Sequence, residues 1–212
     1  ALCEKRVCTP GNTVYYNDDN KSLPLEDVRL EMSSGGKGDI REPFIEVTHH
    51  DGSYTSDFLY EDAEIKHGKT PFETLPGSYE ENDLVDELVL TLRDKNYQLT
   101  LELHYFAFLN QDIISRSAKL INTSEETITV ERLMSTQLDL QTSDWVLSTF
   151  HGAWAREMKR FDMTVNAGKV VNESYCGCSS NRANPFIMLS KADTGEDHGV
   201  CYGLNLIYSG NH

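Results

Sequence analysis

A chain of 212 residues with 34 Asp and Glu against 19 Lys and Arg has a formal charge of −15. That balance excludes a nucleic-acid partner, because phosphate binding needs clustered basic side chains. With 39% hydrophobic and 25% charged residues the composition is globular rather than disordered, and no run approaches the ~18 apolar residues of a membrane-spanning helix.

The opening residues Ala1-Leu-Cys-Glu-Lys-Arg6 carry no initiator Met and no apolar stretch of a signal peptide, so the chain is expected to be a piece of a longer protein. Five cysteines, at 3, 8, 176, 178 and 201, are an odd number without framework spacing. They predict reduced thiols and a cytoplasmic location. Cys176 and Cys178 are separated by one residue, the wrong spacing for a zinc knuckle or a thioredoxin-like pair. Three Asn-x-Ser patterns, beginning at Asn20, Asn122 and Asn172, are read as chance matches.

Residues 1–43 are largely irregular, with candidate strands at 13–16 and 28–32. Three glycines in the next stretch, Gly35, Gly36 and Gly38, free the backbone ahead of Asp39, Arg41 and Pro43. Segments 44–48 and 55–63 read as a hairpin around the turn at 50–53. His49 and His50 do not suggest a metal site, since neighbours in a strand point to opposite faces. A loop is expected over 66–79.

From Leu84 the alternation strengthens. Leu84, Leu88, Leu90 and Leu92 share a face, as do Leu99, Leu101, Leu103 and Tyr105 after a turn at 93–96. Segments 112–121 and 126–134 read as a second hairpin. Further strands are expected at 137–141, 169–175, 186–190 and 199–208. The stretch 144–157, which holds both tryptophans, Trp145 and Trp154, shows no clear period of its own. Many short strands and no sustained helical period predict an all-β fold of packed antiparallel sheets.

Chemistry is harder to place. The carboxylates single out no pair at glycosidase separation, no Gly-x-Ser-x-Gly elbow occurs, and the Gly35–Gly38 run lacks a strand-loop-helix setting for phosphate. The aromatic residues, ten Tyr, eight Phe and two Trp, suit either a core or a sugar platform. For Trp145 the core reading leads. For Trp154, beside the small Gly152 and Ala153, the residues alone leave the choice even.

Three segments resolve it by resemblance: His151-Gly-Ala-Trp-Ala-Arg-Glu157, Ser179-Ser-Asn-Arg-Ala-Asn-Pro-Phe186 and Val200-Cys-Tyr-Gly-Leu-Asn-Leu-Ile-Tyr-Ser-Gly-Asn211. Together they closely resemble the N-terminal region of the α-galactosidases of glycoside hydrolase family 36. Gly38-Asp-Ile-Arg-Glu-Pro43, Asp51-Gly-Ser53, Asp57-Phe-Leu-Tyr60 and Leu75-Pro-Gly-Ser-Tyr79 look like the same family. The similarity runs from about Tyr15 to the end, and motifs in register over that length are more specific than any one of them.

The resemblance implies a β-supersandwich of two or more large antiparallel sheets with few short helices. It would span 1–212 as one N-terminal domain, with the catalytic (β/α)₈ barrel and the C-terminal β-domain absent. It implies a retaining enzyme that releases terminal α-linked galactose from melibiose- and raffinose-type sugars, without cofactor or metal, and that works as a homo-oligomer. Both catalytic aspartates lie in the barrel, so no catalytic residue is assigned here and the chain by itself is expected to be inactive. Trp154 carries over as a substrate contact and Trp145 as packing. Glu4 is a weak match to a family acidic residue, and Asp39 with Arg41 match a motif of structural or interfacial character. Family members start earlier and continue with further strands, so exposed sheet edges and self-association are expected. A stand-alone carbohydrate-binding module and a small hydrolase using its own acids are the competing readings.

Overall fold

The computed structural model describes residues 30–36, 42–79, 84–140, 142–178, 182–208 and 210–212. Glu4, Asp39, Arg41 and the strand expected at 13–16 lie outside them. Among the described residues there are ten strands and no helix: β1 (Ile45–Thr48), β2 (Leu59–His67), β3 (Val85–Asp94), β4 (Leu99–Phe108), β5 (Ile113–Asn122), β6 (Thr129–Leu133), β7 (Trp145–Ala153), β8 (Arg156–Thr164), β9 (Ala183–Lys191) and β10 (Cys201–Asn205). The all-β expectation holds. The chain divides into two compact units, Ala1–Thr70 with Tyr79–Leu140 and Pro71–Ser78 with Gln141–His212.

In the first unit β2-β3-β4-β5 form an antiparallel meander, and β1 pairs with β6 in a small sheet of its own. The leucine alternation explains the meander. Leu90 faces Leu103 and Leu92 faces Leu101 across β3 and β4, while Leu101 faces Leu120 and Leu103 faces Ala118 across β4 and β5. Against this face pack Phe44, Ile45, Val47 and Phe58, closing a core with Leu92, Leu99, Leu101 and Leu103.

Neither expected hairpin forms, for related reasons. After β1 the turn is made, with His49 N–H donating to Ser53 O and Gly52 N–H to His49 O. The chain then gives its polar groups to side chains instead of returning along β1. Asp57 N–H bonds Asp94 Oδ2 and the Ser56 hydroxyl meets His49 Nε2. The strand begins only at Leu59, on β3. After β5, Asn122 Nδ2 bonds Glu126 O and Thr123 N–H bonds Gln98 O. These bonds turn the chain away, and β6 pairs with β1. The strand expected at 28–32 is not one where it is described, at 30–32. At 137–140 there is no strand either, because Gln137 O and Asp139 Oδ2 accept from Arg116 and from Leu30 N–H.

Of the glycines ahead of β1, Gly36 has an observable need for its lack of a side chain. Its φ is +80°, and a Cβ there would lie 2.3 Å from Thr55 Oγ1. Gly36→Ala is expected to lose about 1–2 kcal/mol from the left-handed backbone alone, whereas Gly35→Ala, whose Cβ would sit 3.5 Å from Tyr54 O, should stay near neutral. Paired urea midpoints check the contrast; equal midpoints would show that the Gly36 conformation is not needed.

The second unit is one antiparallel sheet in the order β10-β9-β7-β8. The stretch expected to lack a period supplies its central strand, β7. Ser148 (0% exposed) and Thr149 lie on opposite faces and are both buried. A strand covered on both faces loses the apolar-polar alternation that marks a half-buried one. β8 escaped notice for the opposite reason: every side chain in it is exposed. Segment 169–175 is irregular, and the two remaining strands fall within a few residues of expectation.

Candidate functional site

β7 and β8 form a hairpin whose turn is Trp154-Ala155, between Ala153 and Arg156, which pair across the strand ends. Ala155 adopts φ +59°, a conformation unfavourable for a residue with a Cβ. Its N–H donates to Glu157 Oε1 at 2.8 Å, which helps hold it there. Just below the turn the register slips between His151 and Ala153, and Met158 takes φ +58°. The slip is a β-bulge of the kind that re-aims a strand end.

His151 supports this end from within the sheet. Its Nδ1 donates to Arg182 O at 3.2 Å, its Nε2 lies 2.9 Å from Thr149 Oγ1, and its ring stands edge-on to Phe161. Lys159 lies over the same Phe161 ring, and Asn184 Nδ2 donates to Met158 Sδ at 3.3 Å. Further along β8, hydrogen bonds from Ser148 Oγ and then Arg160 hold the Asp162 carboxyl below its usual pKa.

The two tryptophans have different environments. Trp145 is 9% exposed. Its Nε1 donates to Thr142 O at 2.7 Å, Lys191 Nζ sits 3.9 Å from its ring centroid, and Tyr202 packs at a tilt. Trp154 is 89% exposed. An indole presented at a hairpin tip makes no core, and beside it Arg156 and Glu157 offer hydrogen-bonding groups of both signs. That combination can stack on the apolar face of a sugar ring and bind its hydroxyls.

His49 is buried, stacks on Tyr97 at 3.5 Å between centroids, and is pushed by burial below the usual imidazole pKa. No cluster of three or more His, Cys, Asp or Glu is placed to hold a metal ion among the described residues. Sequence reasoning missed two polar networks, the first centred on a buried carboxylate and the second half-buried. In one, Glu87 on β3 accepts from His104 Nδ1 on β4 and from the N–H and hydroxyl of Thr70. In the other, Glu31 accepts from the Tyr105 hydroxyl and from Arg116, and burial first, then Glu31, pushes the Tyr105 pKa well up. Both lie in the first unit and tie segments to the meander.

Comparison with known proteins bears on the whole chain. Residues 3–212 match the family model described as the glycosyl hydrolase family 36 N-terminal domain. The α-galactosidase Mel36A of Lactobacillus acidophilus is 36% identical over 194 residues, which cover 91% of this chain and 26% of that protein. A variant of the family 36 α-galactosidase AgaA of Geobacillus stearothermophilus, solved in complex with raffinose, superposes with a TM-score of 0.88 at 30% identity, over 95% of this chain and 28% of that one. The α-galactosidase of Lactobacillus brevis gives 0.87 at 35% identity, over 92% and 26%. The chain therefore spans about a quarter of the length of these relatives. With its two all-β units and its match from residue 3 to residue 212, the chain belongs to the N-terminal domain family of the family 36 glycosyl hydrolases.

Proposed function

We propose that this chain is the non-catalytic N-terminal domain of a retaining α-galactosidase that releases terminal α-linked galactose from melibiose- and raffinose-type oligosaccharides, and that Trp154 supplies an aromatic face to the bound sugar. The observation that carries the reading is the exposure of Trp154 on its bulged hairpin. The raffinose in the crystals of a relative supports the substrate class. Retaining hydrolysis needs two carboxyl groups about 5–5.5 Å apart, and in this reading the rest of the enzyme supplies both.

Assembly into a homo-oligomer belongs to the same proposal. The outer strands β2, β8 and β10 are almost wholly exposed, and uncovered edge strands invite pairing with a second chain. Light scattering should give more than one copy per particle; a strictly monomeric species would count against it. Cytoplasmic location is proposed on the exposed free thiols of Cys178 and Cys201, which fit a reducing compartment.

In the enzyme that carries this domain, Trp154→Ala is expected to raise KM for raffinose about two- to twelvefold, the loss of one aromatic stack of ~0.5–1.5 kcal/mol. Melting should be unchanged and Trp154→Phe should restore most of the loss. Early melting with unchanged kinetics per folded enzyme would place the indole in a core instead. The alternative of a stand-alone sugar-binding module rests on the same exposed indole. Calorimetric titration of the isolated chain with galactose and raffinose separates the two, since only the module binds without the rest of the enzyme.

A further inference from the structure

One motif is not absorbed by the sugar-site reading: Cys176-Gly177-Cys178, in the connection between β8 and β9. We propose that Cys176 and Cys178 form a reversible dithiol–disulfide couple that exchanges with low-molecular-weight disulfides. Both residues are exposed, so an oxidant of that size reaches them. Gly177 has φ +83°, and a Cβ placed on it would meet nothing within 4 Å. The bend between the cysteines is therefore both sharp and unobstructed. Cys176 Sγ is already turned towards residue 178, 3.2 Å from its carbonyl oxygen.

Geometry permits closure. A disulfide spans Cα atoms about 4.4–6.8 Å apart, and residues two apart exceed that window only when fully extended, at about 7 Å. The bend at 176–178 shortens their separation from that limit. The segment is also anchored around the pair. Ser174 N–H donates to His212 O at 2.6 Å, and Gly177 N–H donates to Asn211 Oδ1 at 2.7 Å. Anchoring limits the chain entropy lost on closing so small a ring. A metal ion is a poorer occupant, because two thiols are joined there by no third His, Cys, Asp or Glu placed as a ligand among the described residues.

The exchange balances as two displacements. One cysteine thiolate attacks the oxidant's S–S bond, forming a mixed disulfide and expelling one thiolate. The second cysteine attacks the protein sulfur of that mixed disulfide and expels the other. The two cysteines lose two protons and two electrons, and the small disulfide becomes two thiols. A strained, exposed disulfide of this kind is labile and easily reduced, which makes the couple reversible rather than structural. Closure draws Cys176 Sγ away from Ser174 Oγ, now 3.2 Å off. The same connection donates from Asn172 Nδ2 to Asn184 O, and Asn184 in turn bonds Met158 in the hairpin bulge.

The test uses the full chain with Cys3→Ser, Cys8→Ser and Cys201→Ser, so that only the pair remains, incubated with oxidised glutathione. Intact mass should fall by two hydrogen atoms with no retained glutathione, both alkylatable thiols should disappear, and dithiothreitol should restore them. Cys176→Ser or Cys178→Ser in that background should instead keep one glutathione per chain. In the unsubstituted chain, peptide mapping should find Cys176 joined to Cys178. Stable glutathione adducts on both cysteines of the pair, or Cys176 joined to Cys201, would overturn the proposal.

Discussion

Replacing Glu87 by alanine is expected to destabilise the first unit by about 3–5 kcal/mol, the usual consequence of removing one partner of a buried, hydrogen-bonded pair. Glu87 is 1% exposed. Its Oε1 accepts from His104 Nδ1 at 2.7 Å, and its Oε2 accepts from Thr70 N–H at 2.9 Å and from the Thr70 hydroxyl. His104 in turn faces Glu102 at 3.5 Å, and Glu102 meets Lys119. Alanine removes the acceptor of the Thr70 N–H and hydroxyl and leaves the buried His104 imidazole without its carboxylate. Glu87→Gln keeps the shape and the Thr70 bonds, so it should cost less than half as much. Glu61→Ala removes an exposed pair with Arg93 and should lie within about 1 kcal/mol of the parent. Urea midpoints, with hydrogen exchange of β3 and β4 amides as the local readout, decide the order. A Glu87→Ala loss no larger than that of Glu61→Ala would refute the buried network as a stabilising element.

The same carboxylate makes the unit acid-sensitive. Burial alone would raise its pKa, but the bonds from Thr70 and His104 outweigh burial, and the net shift is downward from the usual 4.5. A folded-state pKa below the unfolded one means that Glu87 contributes stability above pH 4.5 and loses it as pH falls through the lower, folded value. Exposed Asp51 and Asp162 are shifted the same way, Asp51 by the Ser53 N–H and Asp162 by Ser148 and Arg160, so acid weakens the chain even without Glu87. The difference between parent and Glu87→Ala therefore carries the information. It should shrink below pH 4.5, and a difference constant from pH 6 down to about 3 would contradict the assignment.

What could be read from the residues follows from where each strand lies. β3 and β4 were legible because the leucines on one of their faces alternate with period two. β1 was legible as a strand but not as a partner of β6, since Ile45 pairs with Leu133 across a long separation that leaves no local trace. β7 was hidden by burial on both faces, and β8 by exposure on both. The Trp154 turn lacked the usual hairpin signature because Ala155, not Gly or Asn, takes the positive φ. Glu87 and His104 are diagonal neighbours on adjacent strands, Glu87 opposite Phe106 and Val89 opposite His104. Spacing along a chain cannot announce such a contact. For Trp154 the motif supplied the residue, and only the fold supplied its exposure.

Phe44→Ala should cost about 3–5 kcal/mol, matching the first prediction in size but through lost packing. Phe44 is 1% exposed and lies in the core with Leu99, Leu101 and Leu103, where a truncated ring leaves a cavity that rigid neighbours fill poorly. Its backbone is fixed independently of the ring: its N–H donates to Ser33 O and Ser33 Oγ, and its carbonyl accepts from Met134 N–H. The backbone therefore cannot follow the missing side chain inward, which puts the expected loss at the upper part of that range. Phe44→Leu keeps most of the volume and should cost less than about 1.5 kcal/mol. The small β1–β6 sheet shares this core only through Ile45 and Val47 of β1, since Val130 and Leu133 of β6 are exposed. Amides of β1 and β6 should then lose exchange protection before those of β4, because the least anchored elements open first. A loss under about 1 kcal/mol, or protection lost first in β4, would show that the packing of Phe44 does not hold the small sheet on the meander.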